Sequence, residues 1–271
     1  MHSPIKWVGG KARMAKHIIP FIPQHTGYIE VFGGAASVLF TKTPSKWEVL
    51  NDLDGNLMNF WDVVQNSYDE LIHSFEYELV SRQKFNFYKQ KYLQNDYIDN
   101  IERAKIFYYL NKSDFGADMK NPIFGVGKDR SRLRLEQIKS DIELSHERLI
   151  KVIIEHKNFV DIFKIYDDKN SFFYIDSPYR NTKQYITGKF TDEQYYQLCD
   201  CCSNAKGKWL YTINDDLFIR ELFKEFNIFT QDVPYSISKN QNGRYKNKEL
   251  IITNYNIDND ILTTKYNIEK V

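Results

Sequence analysis

The 271-residue chain has no apolar run approaching the about 18 residues that a membrane span requires, so no span is expected. Its first residues, MHSPIKWVGGKARM, lack the long apolar stretch of a secretory signal, which points to the cytoplasm. Cysteine is nearly absent. Cys199, Cys201 and Cys202 are too clustered, and odd in number, to make a disulfide framework, and they read as reduced thiols on a helix. Internal repeats, low-complexity tracts and metal-ligand clusters are also missing, so no metal is expected. A surplus of one sign of charge is missing as well: 37 basic residues face 36 acidic ones, a net +1. Taken alone, that balance argues against a nucleic-acid partner. What is present, 42% apolar and 15% aromatic residues, excludes a disordered or collagen-like chain.

The charge is unevenly spread. Residues 105–139 hold eight bases (Lys105, Lys112, Lys120, Lys128, Arg130, Arg132, Arg134, Lys139) against four acids, a net of +4. Residues 235–248 hold Lys239, Arg244, Lys246 and Lys248 with no acid, another +4, which leaves −7 for the rest. Two basic segments on an acidic body are either solvated faces or one side that meets a polyanion.

Alternating strand-like and helix-like segments open the chain. GYIEVF (27–32) and KWEVLND (46–52) read as strands, AASVLFTK and the segment after Asp54 as helices, with Leu57, Met58, Phe60 and Trp61 facing a core. This series predicts a parallel sheet with right-handed crossovers. Between about 60 and 157 the pattern turns helical: VSRQKFNFYKQKYLQ, IERAKIFYYLNK and LRLEQIKSDIELSHERLIKVIIEH, with SDFGADMKNPIFGVGKDRS as a loop. Strands resume at SFFYID (171–176), KWLYTI (208–213), FNIFTQDV (226–233) and KELIITNY (248–255), with helices near 191–205 and 216–226. The parse is one α/β domain, residues 1–58 and 158–271, interrupted by a mainly helical insertion over 59–157.

Four short segments carry chemistry. Lys6-Trp7-Val8-Gly9-Gly10-Lys11 offers a backbone open to close approach, a stacking face and a charge, although alone a Gly-Gly turn beside a surface lysine is the commoner situation. Glu30-Val31-Phe32-Gly33-Gly34-Ala35-Ala36-Ser37 places small residues at a strand-to-helix junction, where a cofactor can lie over the strand end. It is neither the dinucleotide fingerprint nor a P-loop. Asn51-Asp52 ends the next strand, where an acid can face ribose hydroxyls; alternatively Asp52 or Asp54 caps the following helix. Tyr174-Ile175-Asp176-Ser177-Pro178-Tyr179-Arg180 joins an acid, a stiffened backbone and an aromatic, a set able to grip a planar amine or to make an ordinary turn.

In this order and spacing the segments resemble the Dam-type, alpha-class DNA adenine-specific N6-methyltransferases, which carry K-W-x-G-G-K, E-P-F-x-G-x-G, N-D and D-P-P-Y. The resemblance runs essentially end to end. It implies a Rossmann-like S-adenosylmethionine-dependent methyltransferase sheet, mostly parallel with a C-terminal antiparallel hairpin, plus a helical target-recognition insertion. Trp7, Gly9 and Lys11 then resemble the N-terminal cofactor motif. Phe32, Gly34 and Ala36 resemble the cofactor loop, with Ala36 where the family has glycine and Val31 where it has proline. Asp52 resembles the ribose acceptor, and Asn158-Phe159 stands where the family has Asp-Phe beside the cofactor's adenine. Asp176, Ser177, Pro178 and Tyr179 resemble the catalytic motif, Ser177 replacing proline, and Asp176 also lies beside the cofactor.

The activity so implied is methyl transfer from S-adenosylmethionine to the exocyclic amine of a flipped-out adenine in duplex DNA, without a metal. Asp176 and the Ser177 carbonyl would accept the amine hydrogens, and Tyr179 would stack on the base, a contact worth about 1–3 kcal/mol. Lys112, Lys128, Arg130, Arg132 and Arg134, with Asn111 and Asn121, would meet DNA from the insertion, and Arg180, Lys239 and Arg244 from the catalytic part. A cognate restriction endonuclease is a further expected partner, while the oligomeric state and target sequence stay open. Two alternatives remain: a methyltransferase for an RNA base or protein amide, and a decayed methylase that only binds DNA or cofactor, the reading that Ser177 and Ala36 keep alive.

Overall fold

The computed structural model describes residues 1–116, 118–125, 133–180, 188–233, 247–257 and 268–270. In chain order its elements are α1 (Ala15–Ile18), a 3-10 turn (Ile19–Phe21), β1 (Gly27–Glu30), α2 (Ser37–Thr41), β2 (Trp47–Asn51), α3 (Gly55–Asn66), α4 (Tyr68–His73) and α5 (Arg82–Gln94). There follow α6 (Asn100–Ser113), α7 (Leu135–Leu149), β3 (Val152–Glu155), α8 (Phe159–Tyr166), β4 (Ser171–Ile175), α9 (Asp192–Asn204) and β5 (Lys208–Asn214). The last are α10 (Leu217–Leu222), β6 (Asn227–Val233), β7 (Asn247–Thr253) and β8 (Ile268–Lys270). The strands take the order β3-β2-β1-β4-β5-β7-β6-β8. The chain divides into two compact units: Met1–Ala12, Gly33–Thr43 and Val49–His156 form one, and Arg13–Phe32, Pro44–Glu48 and Lys157–Val271 the other.

The first unit is built on aromatic helix faces. Leu57, Met58, Phe60, Trp61, Val63 and Val64 bury one side of α3, and Phe60 stacks on Tyr108 of α6 at 5.5 Å. Trp61 lies 5.4 Å from Phe40 of α2. Side chains satisfy the orphan amides at helix starts: Asp54 caps α3, Ser81 caps α5 and Asp99 caps α6.

The segment 133–156 is not the expected single helix but α7 followed by β3. Helical spacing masks the short β-branched run Val152-Ile153-Ile154, and a contact distant in sequence marks the break. The Gln65 amide of α3 donates to the carbonyls of Leu149 and Val152, at 2.6 and 2.7 Å, closing the helix and opening the strand.

In the second unit β1, β4 and β5 run parallel, Ile29 opposite Phe173 and Phe173 opposite Trp209. β7 then pairs antiparallel with β5 and with β6, and β8 antiparallel with β6. The sheet is therefore of the expected kind, parallel at first with an antiparallel C-terminal part. β4 is buried along its whole length because helices cover it; Phe163 of α8 stacks on Phe173 at 4.4 Å. Strand order reverses between β1 and β4, and in open α/β sheets ligands bind outside the carboxyl ends of the strands at such a reversal.

Candidate active site

In the first unit, three of the segments singled out in the sequence meet. Gly33 has little room for a side chain: a Cβ there would fall 2.5 Å from the Leu50 Cδ1 and 3.0 Å from the Asn51 carbonyl. Gly34 has a φ of +49°, and a Cβ on it would lie 2.7 Å from the Trp7 ring. The Gly34 amide donates to Asp52 Oδ2 at 2.9 Å, while Asp52 Oδ1 accepts from the Asp54 amide at 2.9 Å. Asp54 Oδ1 in turn accepts the amides of Asn56 and Leu57. The two acids thus divide the roles that the sequence left open: Asp54 caps α3, and Asp52 braces the glycine loop.

Burial pushes the Asp52 carboxyl up, against the lowering pull of the amides it accepts. Burial, then the neighbouring Asp52 charge, pushes Asp54 up to about 6. Ala36 begins α2 in the left-handed region, φ 52° and ψ 36°, fully buried and without a side-chain cap. That conformation is where a residue without a Cβ is preferred. Gly9 takes a φ of 76°, Gly10 N–H closes a turn on the Trp7 carbonyl, and Lys11 is buried. Asn111 and Lys112 of α6 hold this N-terminal segment. The Asn111 amide accepts from Lys6 N–H and donates to Lys6 C=O, and Lys112 Nζ reaches the Pro4 carbonyl and Asp141.

In the second unit, Phe32 meets Phe159 with ring centroids 5.7 Å apart, and Phe190 lies 5.8 Å from Phe32 and 5.7 Å from Phe159. Asn158 caps α8 through the Val160 amide. Phe190 opens FTDEQYYQL (190–198), a segment that shares the family resemblance, but it was not assigned to the cofactor from sequence.

At the end of β4 each residue of the turn is held from elsewhere. Asp176 Oδ1 lies 3.2 Å from Thr212 Oγ1 of β5 and accepts its hydrogen. Ser177, 1% exposed, places its hydroxyl 2.7 Å from that of Tyr211, also on β5. The Pro178 carbonyl accepts from Tyr195 of α9 at 2.7 Å, and the Tyr179 hydroxyl donates to the buried Glu249 carboxylate of β7. Arg180 makes a two-pronged ion pair with Asp192, at 3.1 and 2.9 Å, lies 3.6 Å from Asp216, and covers the Phe218 ring. None of Thr212, Tyr211, Tyr195 or Glu249 was singled out from sequence, because each reaches the turn from a separate element.

The model of the D12 class of N6 adenine-specific DNA methyltransferases matches residues 7–237, from Trp7 to beyond the Asp176–Tyr179 turn. The chain belongs to that class. It is 28% identical over 264 residues to the Type II methyltransferase M.CviBI of Paramecium bursaria Chlorella virus NC1A, covering 94% of this chain and all of that protein. It is 26% identical to the Type II methyltransferase M1.LlaDCHI of Lactococcus lactis subsp. cremoris, over 92% of this chain and 94% of that one. The DNA adenine methylase of Escherichia coli K12 is 24% identical, over 91% and 93% respectively. As a D12-class enzyme the protein is an adenine-specific DNA methyltransferase.

Of the cations assigned to DNA contact in this D12-class chain, Lys128, Arg130, Arg132, Lys239 and Arg244 lie outside the described residues. Arg134 stands half-buried at the start of α7, and Lys112 and Arg180 are engaged inside the protein as described. The sequence reading took α5 as a helix but did not single out its charge: its 13 residues carry Arg82, Lys84, Lys89 and Lys91 and no acid. Lys84 and Lys91 face Glu78 and Glu102, but Arg82 lies over the Phe124 ring and Lys89 donates to Asn121 and the Pro122 carbonyl. These contacts tie α5 to the loop after α6. Buried Asp114 shapes that loop by accepting the amides of Gly116, Asp118 and Ile123, and it leaves Phe115 and Ile123 69% and 62% exposed. Among the described residues no group of His, Cys, Asp and Glu could hold a metal, and no helix is long and apolar enough to cross a membrane.

Proposed function

We propose that the chain moves a methyl group from S-adenosylmethionine to the exocyclic amine of an adenine extruded from duplex DNA, with Asp176, Ser177, Pro178 and Tyr179 as its catalytic turn. The observation that carries this is the division of acceptors there. Tyr195 occupies the Pro178 carbonyl, whereas the Ser177 carbonyl has no partner among the described residues and follows directly on the Asp176 carboxylate. Two adjacent acceptors match the two hydrogens of an adenine amine. Accepting both favours a tetrahedral nitrogen, freeing a lone pair that the ring otherwise delocalises. Asp176 then holds the proton that the amine loses. Tyr179, its hydroxyl anchored on Glu249, offers its ring to the base, whose extrusion costs a few kcal/mol.

The residues present fit S-adenosylmethionine. In the first unit Asp52 accepts the Gly34 and Asp54 amides and would turn its remaining lone pairs to ribose hydroxyls; in the second, the Phe32, Phe159 and Phe190 rings would offer apolar faces to an adenine. When bound, the group supplies an electrophilic methyl on a sulfonium sulfur. Trp7, Gly9, Lys11, Gly34, Ala36 and Asp176 complete the set assigned to it. Residues 59–157 serve as the target-recognition region, with Lys128, Arg130, Arg132 and Arg134 on phosphates or base edges and Lys239 and Arg244 on phosphates. For Lys112 and Arg180 the internal bonds favour a supporting part. The two relatives named Type II methyltransferases support a place beside a restriction endonuclease of the same target. The test is to offer unmethylated duplex DNA, RNA and protein together with methyl-labelled S-adenosylmethionine. The expected product is N6-methyladenine in DNA; label only in RNA or protein would overturn the proposal.

A further inference from the structure

Ser177 stands where the D12-class motif resembles D-P-P-Y, and the loss there is one of conformation. Proline would fix φ of the turn, while serine leaves it free. The structure surrounds that freedom with a specific contact. The Ser177 side chain is almost fully buried, and its hydroxyl lies 2.7 Å from the hydroxyl of Tyr211, a residue with no exposed surface. Tyr211 is itself set by the sheet: it lies opposite Ile175 in the β4–β5 register, and its ring packs 5.3 Å from Phe223. Its hydroxyl therefore stands at a fixed height beside the turn. Two buried hydroxyls would each be costly if unpaired, by about 1–3 kcal/mol; here one hydrogen bond joins them, and the Ser177 hydroxyl also lies 3.4 Å from the Pro178 carbonyl.

Resting on the function proposed above, we infer that Tyr211 is a positioning residue for the methyl-transfer site: its hydrogen bond to Ser177 Oγ takes over the constraint that proline would impose, holding the Ser177 carbonyl beside the Asp176 carboxylate. Ser177 is then an exchange of one restraint for another, and the site is intact.

The test is a mutant cycle of Tyr211→Phe, Ser177→Ala and the double variant, with Ser177→Pro added in the Tyr211→Phe background. Turnover on duplex DNA, affinity for S-adenosylmethionine and the melting midpoint are read for each. Each single variant should lower kcat by roughly tenfold, the effect of losing one buried hydrogen bond, with cofactor affinity within about twofold. The double variant should be no slower than either single one, since both remove the same contact. Ser177→Pro should return most of the turnover lost in Tyr211→Phe, which a merely structural role for Tyr211 does not predict. The inference is overturned if folded Tyr211→Phe turns over within about twofold of the wild type, or if the single effects multiply in the double variant. Wild-type turnover and an Asp176→Ala control separate the two readings. Should the wild type fail to methylate adenine, the proposed function falls first; should it succeed while Tyr211→Phe is neutral, only this inference falls.

Discussion

At the residue scale, Ala36 and Asp54 occupy positions whose physics works against them. Ala36 is held in the left-handed region, where an L residue costs about 1–2 kcal/mol relative to the right-handed one and glycine does not. Ala36→Gly should accordingly raise stability by about 1 kcal/mol, read as a higher denaturation midpoint at unchanged slope. Asp54 keeps Oδ2 buried and unpartnered while Oδ1 caps α3, and its carboxyl titrates near 6 instead of the ordinary 3.8. The folded state therefore binds more protons than the unfolded one between those values. Stability should fall as pH rises from about 4 to about 6, then level off. Asp54→Asn keeps an acceptor for the α3 amides and carries no charge. It should reduce that slope and melt higher than the wild type at pH 8, by on the order of 2 kcal/mol. A parallel pH profile for both proteins would contradict the assignment.

At the element scale, the sequence pattern was informative where periodicity is unbroken and silent where a contact distant in sequence decides. The strands at 27, 46, 171, 208, 226 and 248, and the helices around 82–94, 100–113 and 192–204, stand within a few residues of their expected places, because apolar alternation and capping residues are local signals. β3 was hidden inside a helical pattern, since its boundary depends on Gln65, more than eighty positions earlier. The helix α5 was recognised as a helix but not as a charged face, because an overall balance of basic and acidic residues averages it away. If α5 with its attached loop meets DNA phosphates, Arg82→Ala/Lys89→Ala should weaken DNA binding and flatten the dependence of log K on log salt by about one to two. Cofactor affinity should stay unchanged. Equal salt slopes for variant and wild type would remove α5 from the DNA face.

At the scale of the whole molecule, the order of motifs along the chain was enough to indicate the family, and the family model's match from Trp7 onward shows it. The sequence could not show how the turn at Asp176–Tyr179, proposed as catalytic, is held. Thr212 and Tyr211 arrive from β5, Tyr195 from α9 and Glu249 from β7, so the four supports are scattered over residues 195–249 and carry no common motif. The fold supplies them by laying β5 beside β4 and β7 beside β5. A turn braced at every residue suits the proposed reaction, which asks the protein to orient an amine with two acceptors and a ring. In the proposed reaction Asp176 is one of those acceptors. The most direct test of that role is single-turnover methyl transfer to unmethylated duplex DNA by Asp176→Ala beside the wild type, with S-adenosylmethionine affinity measured on both. The wild type should form N6-methyladenine, and transfer should fall by at least about a hundredfold in the variant with cofactor affinity within a few fold. Near-wild-type transfer by Asp176→Ala would contradict that role.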